Sequence, residues 1–124
     1  MANTATAQTA LPVTVGGHGP VIPVVVTMDT TGSDLTVYTP DSDKVLALVG
    51  ITFAEGSANS LTIKSGSTTL VTLELTTFQG LSHKVGGGAI LFTAKGEALK
   101  FNVGTAAVST MIVYVVQAER FDFP

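Results

Sequence analysis

Hydrophobic and polar residues alternate with a period of two over several short stretches of the chain. Leu99, Phe101 and Val103 alternate with Lys100 and Asn102. Successive side chains of a β-strand point to opposite faces, so this spacing is typical of a strand with one buried and one solvated face. The pattern predicts a β-strand over residues 99–103.

The same alternation occurs on both sides of a short glycine-containing segment. Residues 61–64 and 68–76 alternate in polarity and flank Ser65, Gly66 and Ser67. Glycine adopts the left-handed backbone conformation that tight hairpin connections require. We therefore predict a β-hairpin centred on Gly66.

Other apolar segments lack alternation and are separated by turn residues. Residues 44–53 and 108–116 are almost continuously apolar, as expected for strands covered on both faces. Residues 21–28 form a further apolar segment that includes Pro23. Proline has no backbone N–H to donate, so this segment is predicted to be either an edge strand or a strand with Pro23 near its start. Further strands are predicted at 35–39 and 89–93, and a loop at 78–88.

This spacing of strands defines the fold class. Turn clusters recur every eight to twelve residues, and no window of eleven or more residues has a capped helical pattern. The sequence predicts an all-β protein that forms a single antiparallel sandwich of about eight strands with negligible helix.

The chain divides into three segments around one domain. Residues 21–118 form the predicted sandwich, and 124 residues suffice for one core. Residues 1–20 contain too little apolar bulk to fold alone, and are either an extended N-terminal arm or a disordered tail. Residues 119–124 form a C-terminal aromatic tail, which either folds back on the domain or docks on a partner.

Composition narrows the classes of partner. Only 12% of residues are charged while 45% are hydrophobic, so we expect another subunit to cover part of the surface. The net charge of −3, with no basic patch, argues against nucleic-acid binding. Apolar runs are too short to span a bilayer, no secretory signal peptide is recognisable, and the lack of cysteine fits a cytosolic origin.

Candidate chemical groups do not form a catalytic or metal-binding motif. His18 and His83 stand alone in glycine-rich and loop segments, with no metal-ligand spacing. The second candidate is a group of four aspartates, whose members are Asp29, Asp34, Asp41 and Asp43. These carboxylates either bind a cation such as calcium or serve as turn residues, and their spacing favours turns. We expect no enzyme activity and no cofactor.

Six apolar side chains are the candidate partner contacts, because they lie in the arm, in the loop and in the tail. They are Leu11, Val13, Val15, Phe78, Phe121 and Phe123. The remaining phenylalanines, Phe53, Phe92 and Phe101, fall in strand patterns and are predicted to be core residues. Sugar binding by small β-sandwich proteins generally requires exposed aromatic side chains, and the sequence contains no tryptophan. A sugar-binding role is therefore poorly supported.

The pattern over residues 44–117 resembles that of small β-sandwich virion proteins of tailed bacteriophages, in particular capsid decoration (cement) proteins. Five segments carry the resemblance: residues 45–49, 61–70, 86–92, 96–103 and 113–116. The resemblance implies a jelly-roll-like homotrimer that is made in the host cytoplasm and binds the capsid exterior. It would bridge subunits of the major capsid protein and stabilise the shell. The alternative is a tail or fibre-associated module that binds host surface glycan.

Overall fold

The computed structural model describes residues 3–10, 20–28, 30–55, 59–75, 80–82, 91–104 and 109–118. These residues form ten strands and no helix. The strands are β1 (Thr4–Ala7), β2 (Ile22–Met28), β3 (Leu35–Tyr38), β4 (Val45–Glu55), β5 (Asn59–Ser65), β6 (Thr68–Leu75), β7 (Gly80–Ser82), β8 (Leu91–Phe92), β9 (Leu99–Val103) and β10 (Ser109–Ala118). Within those ranges there is accordingly no helix that could cross a membrane.

The strands form two antiparallel sheets. The larger sheet has the order β1-β2-β10-β4, and both β7 and β8 pair with the far edge of β4. The smaller sheet has the order β3-β9-β5-β6. The pairs β2–β10, β3–β9, β4–β7/β8 and β5–β6 are nested, as in a long hairpin rolled into two layers, and this is the strand order of a jelly roll. The all-β sandwich predicted from the sequence is confirmed.

A core of inward-facing side chains joins the two sheets. On β9, Leu99, Phe101 and Val103 are buried, while Lys100 and Asn102 lie on the outer side. The larger sheet contributes Val26 and Val113 among others, and all of these belong to one buried cluster. The alternation predicted for residues 99–103 is therefore confirmed.

Strand β4 is buried on both of its faces over residues 46–49. Leu46 and Leu48 belong to the main core, whereas Ala47 and Val49 belong to a second buried cluster on the outer side of the larger sheet. The register against β10 shifts at this point, since Tyr114 pairs with Gly50 but Val115 pairs with Leu48. The extra residue is a β-bulge at Val49. The two-sided burial predicted for residues 44–53 is thus confirmed over residues 46–49, whereas Thr52 is exposed.

The β5–β6 hairpin has the predicted turn. Gly66 has a φ of 57°, and Ser65 pairs with Thr68 across the two-residue connection. The register also shifts within the hairpin, because Ile63 pairs with Val71 while Lys64 pairs with Thr69. Leu70 is therefore an extra residue in β6, a bulge that alternation alone did not predict.

Strand β1 extends the larger sheet beyond β2. Its four residues pair in register with β2, from Thr4 opposite Thr27 to Ala7 opposite Val24. The side-chain amide of Asn3 donates to the carbonyl of Thr30 at 2.9 Å and accepts from its backbone N–H at 3.0 Å. Pro23 is the second residue of β2, in agreement with the predicted strand start.

The loop predicted at 78–88 and the core position predicted for Phe92 are wrong. The predicted loop contains strand β7, whose backbone pairs with Thr52–Ala54 of β4; a three-residue strand is too short to produce a recognisable pattern. The strand predicted over residues 89–93 is confirmed at Leu91 and Phe92, while residues 89 and 90 lie outside the described residues and Thr93 follows the strand. Leu91 lies opposite Leu48 and packs on the core, so Phe92 points outward and is 52% exposed. Phe92 is therefore not a core residue.

Candidate interaction surfaces

The candidate contacts named from the sequence lie outside the described residues. These are Leu11, Val13, Val15, Phe78, Phe121 and Phe123, and the same holds for His18, His83, Asp29 and the side chain of Phe53. The surfaces that the structure does describe are the outer faces of the two sheets, the sheet edges and the loops at one end of the sandwich.

The outer face of the larger sheet has two exposed apolar side chains at its centre. Val25 of β2 and Ile112 of β10 are directly paired, and they are 37% and 38% exposed. Thr6 of β1 lies opposite Val25 on one side, and Thr52 of β4 lies opposite Ile112 on the other. The four residues form a continuous row across four strands.

Charged residues are absent from every described position of this face. The next row toward one end contains Thr4, Thr27 and Thr110, which are paired across β1, β2 and β10. In the other direction, Tyr114 pairs with Pro23. Beyond them lies the buried cluster of Val21, Ala47, Val49 and Val116. We call the surface formed by these paired rows, which ends at this buried cluster, the charge-free face.

The sequence contains a signal for this face that emerges only when strands are compared. The outward positions of β2 and β10 contain only Pro, Val, Thr, Ile, Tyr and Ala residues, and no Lys, Arg, Asp or Glu. Within one strand, an uncharged outward position is unremarkable. The lack of charge becomes informative only when the two strands are known to pair. The jelly-roll order places β2 beside β10, although they are far apart in sequence, and so joins their uncharged positions into one surface.

The smaller sheet, in contrast, presents charged groups on its outer face. Lys64 Nζ lies 3.1 and 3.2 Å from the two carboxylate oxygens of Asp34. Asn102 Nδ2 donates to Asp34 Oδ1 at 2.8 Å. These hydrogen bonds, from Asn102 first and Lys64 second, hold the pKa of Asp34 below its usual range, and the charge of Lys100 adds to the effect. The network connects the start of β3 to β5 and β9.

The aspartates of the described chain do not converge on a shared cation site. Asp34 is engaged by Lys64 and Asn102, whereas Asp41 lies in the turn before β4, where its carbonyl accepts from Lys44 N at 3.0 Å. The backbone N–H of Asp41 donates to Gln117 Oε1 at 3.0 Å. Among the described residues, no three His, Asp or Glu side chains are grouped so that they could hold a metal ion.

A hydrogen-bond network at one end of the sandwich contains the two buried polar side chains of the described residues. Ser65 Oγ donates to Glu97 Oε1 at 2.6 Å and accepts from Ala94 N at 2.9 Å. Thr93 N donates to Leu46 O at 2.8 Å, and Leu46 N donates to Thr93 Oγ1 at 3.1 Å. Both hydroxyl groups are thus occupied in connecting the 93–98 segment to β4 and β5.

The sequence was compared with known proteins. No protein-family model matches the chain, and no curated protein sequence matches it.

Proposed function

We propose that this chain is a structural virion protein that decorates a bacteriophage capsid as a homotrimer and stabilises the shell by bridging major capsid protein subunits. The proposal rests on the resemblance of residues 44–117 to capsid decoration proteins. The structural observation that supports it best is the charge-free face, which has exposed Val25 and Ile112 at its centre. A contiguous uncharged surface of this kind is typical of a protein–protein contact.

The proposed mechanism is stabilisation by burial and not by chemistry. Each protomer would bury apolar area against its neighbours and against the shell, and removing apolar surface from water contributes about 25 cal/mol per Å². The hydroxyl groups of Ser65 and Thr93 and the carboxylate of Asp34 fit this role, since they are held in hydrogen bonds within the fold. A protein with this function requires no cofactor.

The proposal is tested on shells assembled from the major capsid protein of the same phage. The purified chain is added to shells that lack it, bound protein is measured by cosedimentation, and shell melting is followed by calorimetry. We expect saturable binding, a higher melting temperature of the shell, and trimers at three-fold positions of the outer surface in electron micrographs. Failure to cosediment at micromolar concentration would overturn the proposal.

The same images separate this function from the alternative of a glycan-binding tail module. The exposed ring of Phe92 is the one observation that favours the alternative, because glycan sites use exposed aromatic faces. Density on the tail of the virion together with binding on a glycan array would support that role. Density on the shell without glycan binding would support decoration.

A further inference from the structure

Strand β2 has a long and regular edge on the side that faces away from β10. Its seven residues, Ile22–Met28, include no charged side chain. Its register is continuous against both β10 and β1. An uncharged, apolar strand edge of this kind is a template on which another chain can add a strand. In the structure, β1 covers this edge, which we call the β2 edge.

The other sheet edges of the described chain have features that hinder the addition of a strand. Strand β6 has its bulge at Leu70, and β3 has only four residues and a register shift between Thr36 and Tyr38. At the far edge of β4, strands β7 and β8 have three and two residues. Bulges and very short edge strands keep sheets from pairing with other chains. Strand β2 has neither feature, so its protection depends on β1.

The backbone N–H and C=O groups of β2 point alternately to β1 and to β10. Gln8 N donates to Pro23 O at 2.8 Å, which places the carbonyl of Pro23 on the β1 side. In an antiparallel pair every second residue bonds to the same neighbour, so the backbone groups of Val25 and Thr27 also point to β1. Pro23 has no N–H to return, which ends the ladder at this point. The β2 edge therefore offers Val25 N and Thr27 N as its donors.

Few side-chain contacts hold β1 in place. Of its four residues, only Ala5 is half-buried, where it packs against the main core, and the other three are exposed. Before the strand, the side chain of Asn3 bonds to both backbone groups of Thr30. Residues 8–21 separate β1 from β2, although antiparallel neighbours can be joined by about two residues. Strand β1 can therefore leave the sheet without moving β2, and its departure exposes little apolar area.

We propose that β1 is a displaceable strand that keeps the β2 edge from pairing with the β2 edge of a second copy of this chain. The second copy fits because β2 is complementary to itself. Antiparallel pairing about Val25 places Pro23 of each copy opposite Thr27 of the other, and no charged residues oppose each other. This pairing has fewer hydrogen bonds than the pairing with β1, since neither Pro23 donates, so the intact chain retains β1. The inference depends neither on a trimer nor on binding to a shell.

Amide hydrogen exchange of the wild-type chain tests whether β1 opens by itself. The N–H groups of Val25 and Thr27 point to β1, whereas those of Val24 and Val26 point to β10. The first pair should exchange at least about tenfold faster than the second, because opening of β1 alone exposes it to water. Equal protection of the two pairs would overturn the proposal, since β1 would then open only together with the sandwich.

Two proline substitutions in the full chain test whether β1 prevents association. The N–H of Thr6 points to β2, since Thr6 lies two residues before Gln8, whereas the N–H of Ala7 points away from β2. Thr6→Pro removes a donor and places the proline ring against β2. Ala7→Pro is the matched control, because it leaves the hydrogen bonds to β2 intact. In sedimentation equilibrium at micromolar concentration, Thr6→Pro should reach about twice the wild-type mass, while Ala7→Pro should keep the wild-type mass.

A third proline separates pairing at the β2 edge from other association. Val25→Pro removes the N–H about which two β2 strands would pair, and the hydrogen bonds between β2 and β10 do not use that N–H. The variant that combines Thr6→Pro with Val25→Pro should therefore return to the wild-type mass. An assembly that persists in this combined variant, or a Thr6→Pro variant that keeps the wild-type mass, overturns the proposal. Loss of the β-sheet signal of Thr6→Pro in far-UV circular dichroism also overturns it, because the sandwich should stay folded without β1.

Discussion

Lys64 forms an ion pair with Asp34 across 30 positions of sequence, with Nζ 3.1 Å from Oδ1. Asp34 precedes β3 at one edge of the smaller sheet, and Lys64 lies in β5, with β9 between the two strands. Asn102 of β9 also donates to Asp34 Oδ1, so one carboxylate connects three strands. Both charged side chains are partly exposed, and such pairs contribute little to stability in high salt.

The first prediction is a pH-dependent effect of Asp34→Asn. The folded pKa of Asp34 is lowered, so the ionised carboxylate contributes stability that is fully present above the unfolded pKa and lost as pH falls through the folded pKa. At pH 7, the substitution should lower the free energy of unfolding by less than about 1 kcal/mol, because the pair is partly exposed. As pH falls through the lowered folded pKa the wild-type carboxyl becomes protonated, and the difference between the two proteins should shrink.

Urea unfolding of both proteins at pH 7 and at pH 2.5 measures this difference. Thr36→Asn serves as the control, since Thr36 is exposed on the same sheet and is not part of the Asp34 network. A difference between wild type and Asp34→Asn that remains equally large at pH 2.5 would contradict the assigned role of the carboxylate.

The second prediction concerns two aromatic residues that look alike in the sequence. Phe101 is fully buried in the main core, while Phe92 is 52% exposed on the outer side of the larger sheet. Phe101→Ala should lower the free energy of unfolding by about 3–5 kcal/mol, because it leaves a cavity among close-packed side chains. Phe92→Ala should cost less than about 1 kcal/mol.

Thermal unfolding followed by circular dichroism distinguishes the two variants. A Phe92→Ala variant that is destabilised as much as Phe101→Ala would show that Phe92 is a packing residue and would contradict its outward position.

The contrast between Phe92 and Phe101 also shows where sequence reasoning succeeds. Alternation predicted the inward face of β9 and the β5–β6 hairpin, and an apolar run without alternation predicted the two-sided burial in β4, since each depends on neighbouring residues. The core position predicted for Phe92 is wrong, because the side of the sheet to which its ring points depends on which residue of β4 it pairs with. Strand β7 was missed for a related reason, since backbone pairing with β4 defines it.

The interaction surfaces were harder to predict than the fold. The charge-free face combines outward positions of β1, β2, β4 and β10, and no single segment reveals it. The exposed position of Leu70 depends on a bulge that shifts the register of one strand against the other. The six contacts named from the sequence stay predictions, since they lie outside the described residues.

The third prediction concerns the buried hydroxyl of Ser65. Ser65→Ala removes the acceptor of Ala94 N and the donor to Glu97 Oε1. The part-buried hydrogen bonds to Ala94 N and Glu97 Oε1 are then lost, so the free energy of unfolding should fall by about 1 kcal/mol. Ser67→Ala, in the exposed turn two residues later, is the matched control and should change stability by less than about 0.5 kcal/mol.

Amide hydrogen exchange makes this test specific to the network. Exchange at Ala94 should accelerate in Ser65→Ala and remain unchanged in Ser67→Ala, because only the first substitution removes the acceptor. Equal protection of Ala94 in both variants would contradict the assigned hydrogen bond.

The last prediction compares two glycines that share a left-handed conformation. Gly32 has a φ of 84° and Gly96 a φ of 77°, so alanine at either position incurs backbone strain of about 1–2 kcal/mol. At Gly32, an added Cβ meets nothing within 4 Å. At Gly96, an added Cβ would lie 2.9 Å from the carbonyl oxygen of Ser42. The backbone N–H of Gly96 also donates a hydrogen bond to Lys44 O, which holds the two segments close together. Gly96→Ala should therefore be the more destabilising substitution by at least about 1 kcal/mol, since backbone must shift to relieve the clash. Denaturant unfolding of the two variants measures the difference directly. Equal destabilisation would mean that strain alone acts at both sites and that the 93–98 segment does not approach Ser42 as closely as described.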